Sequence, residues 1–181
     1  MLTGLFIWEG KSEIFIAESL KQVAATLFIS VGLVIAVIYL FLGSARATLI
    51  PAVTVPVSLI SAFIVLNALG FSINLLTLLA LILAIGLVVD DAIVVLENVY
   101  HRIENGEDPL AAAFLGTRQV AFAVIATTLV LVAVFVPISF LDGDLGKLFT
   151  EFAITLAVAV CFSSFVALTL SPMIASKVLK G

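Results

Sequence analysis

The sequence predicts an all-α membrane protein folded as a five-helix transmembrane bundle, on three observations. Apolar runs of membrane-crossing length recur five times along the 181 residues. Hydrophobic residues make up 64% of the chain and charged residues only 11%, where a soluble domain carries about 45–50% and about 25%. The links between successive runs are mostly too short to hold anything but a turn. A mean hydropathy of +1.37 excludes a water-soluble or disordered chain. A net charge of −4 offers no basic surface for nucleic acid. One cysteine (Cys161) and one histidine (His101) exclude an intrachain disulfide and a Cys/His metal cluster, and nothing in the pattern calls for a cofactor.

The five runs are Val23–Leu42, Ala47–Leu69, Leu75–Leu96, Val120–Leu141 and Phe152–Leu170. Each meets the roughly 20 residues a helix needs to cross about 30 Å of hydrocarbon. Barrel strands would be about 10 residues long and alternate polar with apolar, which these runs do not. Helices satisfy their own backbone polar groups in lipid. Gly43-Ser44-Ala45-Arg46 joins the first two spans and Gly70-Phe71-Ser72-Ile73-Asn74 the next two, so spans one to three should pack as adjacent hairpins.

The longest connection, Val99–Gln119, contains Asp108-Pro109, an N-cap followed by proline at the first helical position. It predicts a short helix over Leu110–Leu115, lying near the membrane surface. Asp142–Lys147 separates the last two spans. Pro51, Pro56, Pro137 and Pro172 lie in or beside spans and should kink them, either as tolerated irregularities or as hinges. Orientation follows from lysine and arginine placement. Arg46, Arg102, Arg118, Lys177 and Lys180 share one face, and Lys11, Lys21 and Lys147 the other. That bias predicts a cytoplasmic C terminus and an N terminus outside. Met1–Trp8 lacks a basic leader, so a chain starting outside reads as part of something larger.

The informative feature is Asp90-Asp91, inside the third span. That span holds eight leucines, three isoleucines and four valines, worth roughly −5 to −9 kcal/mol on the insertion scale. Two central aspartates cost roughly +5 to +7 kcal/mol on the same scale. A lipid-facing, doubly charged helix is therefore near break-even. The stripe must turn toward protein, and a bound proton or a buried cation must neutralise it. All eight lysines and arginines fall outside the five runs, so a cation would have to come from another segment or chain. Intramembrane aspartates are commonly proton or ion relays. The rivals are a pair that fixes helix registry, and aspartyl catalysis. The second is harder to build, because neighbouring helical positions point about 100° apart, and no enzymatic activity is expected.

Other polar groups can line the same interior. Gly86, one turn before Asp90, would let a helix approach closely. Thr127 and Thr128 in the fourth span, and Ser163 and Ser164 in the fifth, can hydrogen-bond across helices or back to a carbonyl one turn earlier. Glu97 lies seven residues after Asp90 on roughly the same face, either as the mouth of a proton path or as a solvated helix end. Cys161 reads as a small buried apolar residue.

The stretch Gly86-Leu87-Val88-Val89-Asp90-Asp91-Ala92-Ile93-Val94-Val95-Leu96-Glu97-Asn98-Val99 resembles the fourth transmembrane helix of the resistance-nodulation-division (RND) efflux pumps. Tyr39–Leu42 with Arg46–Pro51 is similar to the end of that family's second helix and the start of its third. Gly70–Asn74 is similar to the following turn, and Val134–Pro137 and Leu170–Pro172 to helices five and six. The resemblance runs from about Phe15 to Lys180. It leaves 1–14 as an unmatched N-terminal segment and 15–181 as the bundle, half of an RND-type membrane domain. The paired aspartates resemble the hydrophobic and amphiphilic drug-efflux branch.

What the resemblance implies is a component of a proton-driven multidrug exporter of the bacterial inner membrane, with Asp90 and Asp91 as its proton relay. It implies protons and hydrophobic or amphiphilic small molecules as the transported species. It implies a missing second half of the membrane domain that supplies a lysine to the aspartates. It also implies a homotrimer working with a periplasmic adaptor and an outer-membrane channel. The alternative is a transport-inactive membrane fragment or interaction module.

Overall fold

The computed structural model describes residues 2–140 and 143–179. Five α-helices account for nearly all of them: α1 (Leu2–Leu42), α2 (Ala45–Ala68), α3 (Leu75–Glu104), α4 (Pro109–Phe135) and α5 (Asp144–Val178). A 3-10 turn over Val136–Phe140 extends α4. All five are long and apolar enough to cross a membrane. The crossing segments are Lys21–Leu42, Ala45–Ala68, Leu75–Glu104, Pro109–Phe140 and Phe149–Val178. The chain is a multi-pass, all-α membrane bundle, as its composition required.

The predicted spans are found in order, but the helices outrun them. α3 continues eight residues beyond Leu96, to Glu104, so the connection to α4 is only Asn105–Asp108. The surface helix predicted over Leu110–Leu115 does not exist as a separate element. Asp108 caps α4, its carboxylate accepting from the backbone N–H of Leu110 at 3.1 Å and of Ala111 at 3.4 Å, and Pro109 occupies the first turn. Nothing between Leu115 and Val120 then breaks the helix, and Gly116 lies within it, close against Val99. At the other end α4 stops at Phe135, where the missing N–H of Pro137 ends the regular ladder. Of the predicted loop 142–147, α5 already includes Asp144–Lys147; Leu141 and Asp142 lie outside the described residues. The helices continue through Pro51 and Pro56 in α2 and Pro172 in α5.

α3 is the central helix, packed against all four others, while α5 packs against α2, α3 and α4. α1 meets α2 and α3, and α2 meets α3, so the hairpin arrangement of the first three spans is present. α3 begins with a reciprocal cap. Asn74 Oδ1 accepts from the N–H groups of Leu76 and Thr77, both at 2.9 Å, and Thr77 Oγ1 accepts from the N–H of Asn74 at 2.8 Å.

The buried apolar side chains form two clusters, not one. The first includes Val55, Leu59 and Ala62 of α2, Leu81 to Val89 of α3, and Leu156 and Ala159 of α5. The second includes Ala47 and Ile50 of α2, Ala92 to Val99 of α3, Ala113 and Val124 of α4, and Ala167 and Ala175 of α5. Between them each inner helix contributes buried polar groups: Thr54 on α2, Asp91 on α3, Thr128 on α4, and Ser163 and Ser164 on α5. The aspartate pair falls at this seam.

Candidate functional site: an intramembrane carboxylate pair

Asp90 and Asp91 are successive residues of α3, and the helix turns them apart. Asp91 faces the bundle and is 9% exposed. Asp90 is exposed and has no hydrogen-bond partner among the described residues. Both border an open groove of about 510 Å³ between α3 and α4, lined by Leu87, Val94, Ala123, Val124, Ala126, Thr127, Val130 and Leu131. The groove is almost wholly apolar apart from the two carboxylates and Thr127.

α5 supplies the partner of Asp91. Ser164 Oγ donates to Asp91 Oδ2 at 2.5 Å, and the neighbouring Ser163 Oγ donates to the Val88 carbonyl at 3.0 Å. Ser164 also contacts the Thr128 hydroxyl of α4. The readings of these hydroxyls as cross-helix partners or as back-bonded groups are therefore both partly right. Thr127 donates to the Val124 carbonyl of its own helix at 2.9 Å, and the Thr128 hydroxyl has that carbonyl, at 2.8 Å, and Ser164 Oγ as alternative acceptors. Thr128 alone also reaches across to α5.

This row can carry a proton difference. A hydroxyl has one proton to donate. With Asp91 ionised, Ser164 donates to it and Thr128 donates to Ser164. With Asp91 protonated, the acid donates to Ser164, which donates to Thr128, which donates to the Val124 carbonyl. Val124 keeps Thr127 as a donor in both arrangements, so reversing the row strands no buried polar group.

The predicted site residues divide accordingly. Asp91, Thr128 and Ser164 come together. Thr127 lines the groove and donates to Val124, with no hydrogen bond to either carboxylate. Gly86 is not a packing contact among the described residues, because a Cβ there would meet nothing within 4 Å. The close approach falls at Gly116, where a Cβ would meet Val99 side-chain and backbone atoms at 3.1–3.3 Å. Gly86 instead belongs to an exposed stripe of α3 made by Leu75, Leu79, Leu83, Gly86, Asp90, Val94, Glu97 and His101. Steps of three and four residues make this one continuous helix face. Glu97 lies on that stripe, clear of the aspartates, at the edge of an apolar groove of about 430 Å³ formed with Val37, Ile38, Phe41, Leu42, Ile93 and Tyr100. Cys161 is exposed, not buried.

Among the described residues, the one ion pair joins Arg102 to Glu107 at 2.9 Å, in the α3–α4 connection. No described lysine or arginine pairs with Asp90 or Asp91. The described residues hold no group of three or more His, Cys, Asp or Glu side chains able to bind a metal. Two polar contacts carried no sequence signal. Asn98 Nδ2 donates to the Gly116 carbonyl at 2.9 Å, and Asn74 Nδ2 donates to Glu151 Oε2 across α3 and α5.

The match to known proteins covers almost the whole chain. The AcrB/AcrD/AcrF family matches residues 11–181. A protein named multidrug resistance protein MdtC in Salmonella schwarzengrund is 56% identical over 92% of this chain, and MdtC of Escherichia coli K12 is 54% identical over the same share. A protein of Haemophilus influenzae named only as an uncharacterized transporter is 54% identical over 93% of the chain. In each case the aligned part is 16% of the relative's length. The central aspartate pair, the order of the five spans and this match agree: the chain belongs to the AcrB/AcrD/AcrF family of RND transporters.

Proposed function

We propose that this chain is the part of a proton-driven multidrug exporter's membrane domain that carries the proton relay, with Asp90 and Asp91 as the groups that load and release protons. The observation that carries the reading is the split environment of the pair. Both border the groove, but Asp91 is tied inside the bundle to Ser164 at 2.5 Å, while Asp90 stands exposed on the stripe of α3. One carboxylate is thus coupled to helix packing and the other to whatever fills the groove.

An ionised carboxylate on a lipid-facing stripe costs several kcal/mol, so protein must cover it. The second half of the membrane domain is the occupant, and it brings a basic residue to the aspartates, which no described lysine or arginine meets. Protonation changes the pair's attraction to that cation, and the helices shift between two packings of different electrostatic energy. In the intact pump the N-terminal ends of α3 and α5 face the periplasm and the C terminus faces the cytoplasm of a bacterial inner membrane. The exported compounds are hydrophobic or amphiphilic small molecules, handled by a trimer working with a periplasmic adaptor and an outer-membrane channel. Glu97 sits on the cytoplasmic side of the same stripe, at the mouth of the path.

The test is Asp90→Asn and Asp91→Asn in the intact transporter, reading drug export and proton flux alongside membrane abundance. Both variants should insert normally and lose coupled export; full export by both overturns the relay. A second reading rests on the absence, among the described residues, of any cation paired with the aspartates: alone, the chain is a transport-inactive membrane module. Proton flux in liposomes only when the complementary half is added supports the relay, and none under either condition supports the module.

A further inference from the structure

Ser164 can serve Asp91 only if α5 stands at the right height against α3. The two helices run parallel, and their polar cross-contacts descend the interface in order. Asn74 meets Glu151, Val88 meets Ser163, and Asp91 meets Ser164, at sequence separations of 77, 75 and 73. Most of the interface between these levels is apolar: Leu81, Ala84, Ile85 and Val88 of α3 against Leu156 and Ala159 of α5. Apolar packing is non-directional and tolerates small slips, so it does not by itself fix the height of one helix against another.

The topmost contact does. Asn74 uses both ends of its amide: Oδ1 caps α3 and Nδ2 is held by Glu151. Because capping fixes the orientation of the amide, Glu151 grips a rigid group. Glu151 is half-buried, and no cation among the described residues pairs with it. Its carboxylate lies at the N-terminus of α3, where the helix dipole favours negative charge. About 25 Å of helix rise separates Asn74 from Asp91, and about 20 Å separates Glu151 from Ser164. One turn of slip, about 5.4 Å, would take Ser164 out of reach of Asp91.

We propose that Glu151, acting through Asn74, is a positioning residue of the relay: it pins the axial register of α5 on α3 that brings Ser164 to Asp91. This rests on the proton-relay reading above. Glu151 touches neither aspartate and carries no proton for them.

The test uses the intact transporter and reads export against external pH, with membrane abundance. Ser164→Ala sets the reference displacement of the pH midpoint. Glu151→Ala should displace the midpoint with the same sign, by about half a unit to one unit, and should add little in the double variant with Ser164→Ala. Glu151→Gln keeps an oxygen to accept from Asn74 and should restore the wild-type midpoint. A wild-type midpoint in Glu151→Ala overturns the proposal, as does equal displacement by the Gln and Ala variants, since charge would then matter and not the hydrogen bond. If Glu151→Ala fails to reach the membrane, Asn74→Ser decides: it keeps a capping oxygen but is too short to reach Glu151. The same displacement supports the pin and none overturns it. Asp91→Asn run in parallel separates the two readings. Normal export there removes the relay itself, whereas loss there with a wild-type profile in Glu151→Ala removes only the pin.

Discussion

Ser164 Oγ lies 2.5 Å from Asp91 Oδ2, joining the fifth helix to a carboxylate of the third at the seam between two apolar cores. The bond sits in low dielectric, where a hydrogen bond to a charged group contributes about 1.5–3 kcal/mol. Ser164→Ala should therefore insert and fold but lower proton-coupled export about tenfold or more at fixed pH. Transport assays normalised to membrane abundance check this. Wild-type rates in the alanine variant would mean that the contact is not part of the relay.

Thr128 and Thr127 are neighbours with the same local bond to Val124, yet only Thr128 reaches Ser164. Valine matches threonine in shape and lacks the hydroxyl, so it removes the donor with little change in packing. Thr128→Val should slow export about fivefold, the worth of one neutral buried hydrogen bond. Thr127→Val should leave the rate within twofold. Equal effects from the two valines would show that the row through Ser164 has no special role.

Much of this arrangement was legible in the sequence, and the failures have physical causes. Run length and uniform apolarity fixed the five spans, because lipid leaves the backbone no alternative to a helix. The Asp90-Asp91 pair stood out for its insertion cost. Helix ends are not legible wherever helices continue past the hydrocarbon, as α3 does to Glu104 and α4 does from Pro109; hydropathy marks where lipid stops, not where hydrogen bonding stops. Gly86 and Gly116 are indistinguishable as letters, and only the fold shows which meets a neighbour. Ser164 was visible as a polar residue in an apolar run, but its partner lies 73 residues away, beyond any local pattern. Glu151 gave no signal, since a carboxylate near a span's edge reads as solvated.

Gly116 is the tightest helix approach among the described glycines, with Val99 backbone atoms at 3.2–3.3 Å from where a Cβ would stand. Backbone cannot rotate away as a side chain can. Gly116→Ala should destabilise by about 1–2 kcal/mol, overpacking outweighing the better helix propensity of alanine. It should also weaken the adjacent Asn98 bond to the Gly116 carbonyl, 2.9 Å long. Thermal melting of the detergent-solubilised transporter checks it; an unchanged or higher midpoint would mean that α3 and α4 part easily there.

Gly86 separates packing within the chain from packing against the rest of the transporter. No atom of the described residues lies within 4 Å of a Cβ at Gly86, and Gly86 is exposed, so a leucine there has open space beside α3 and gains helix propensity. Yet Gly86 is one turn before Asp90 on the exposed stripe, the face assigned to the second half of the membrane domain. A leucine there holds that half away from the carboxylate and its cation at arm's length. Gly86→Leu should therefore keep normal abundance and melting while coupled export falls about tenfold, in line with an overpacked contact. Leu79→Ala, on the same stripe but three turns from Asp90, should be much milder. If Gly86→Leu exports at the wild-type rate, the stripe faces lipid and the aspartates find their neutralising partner by another route.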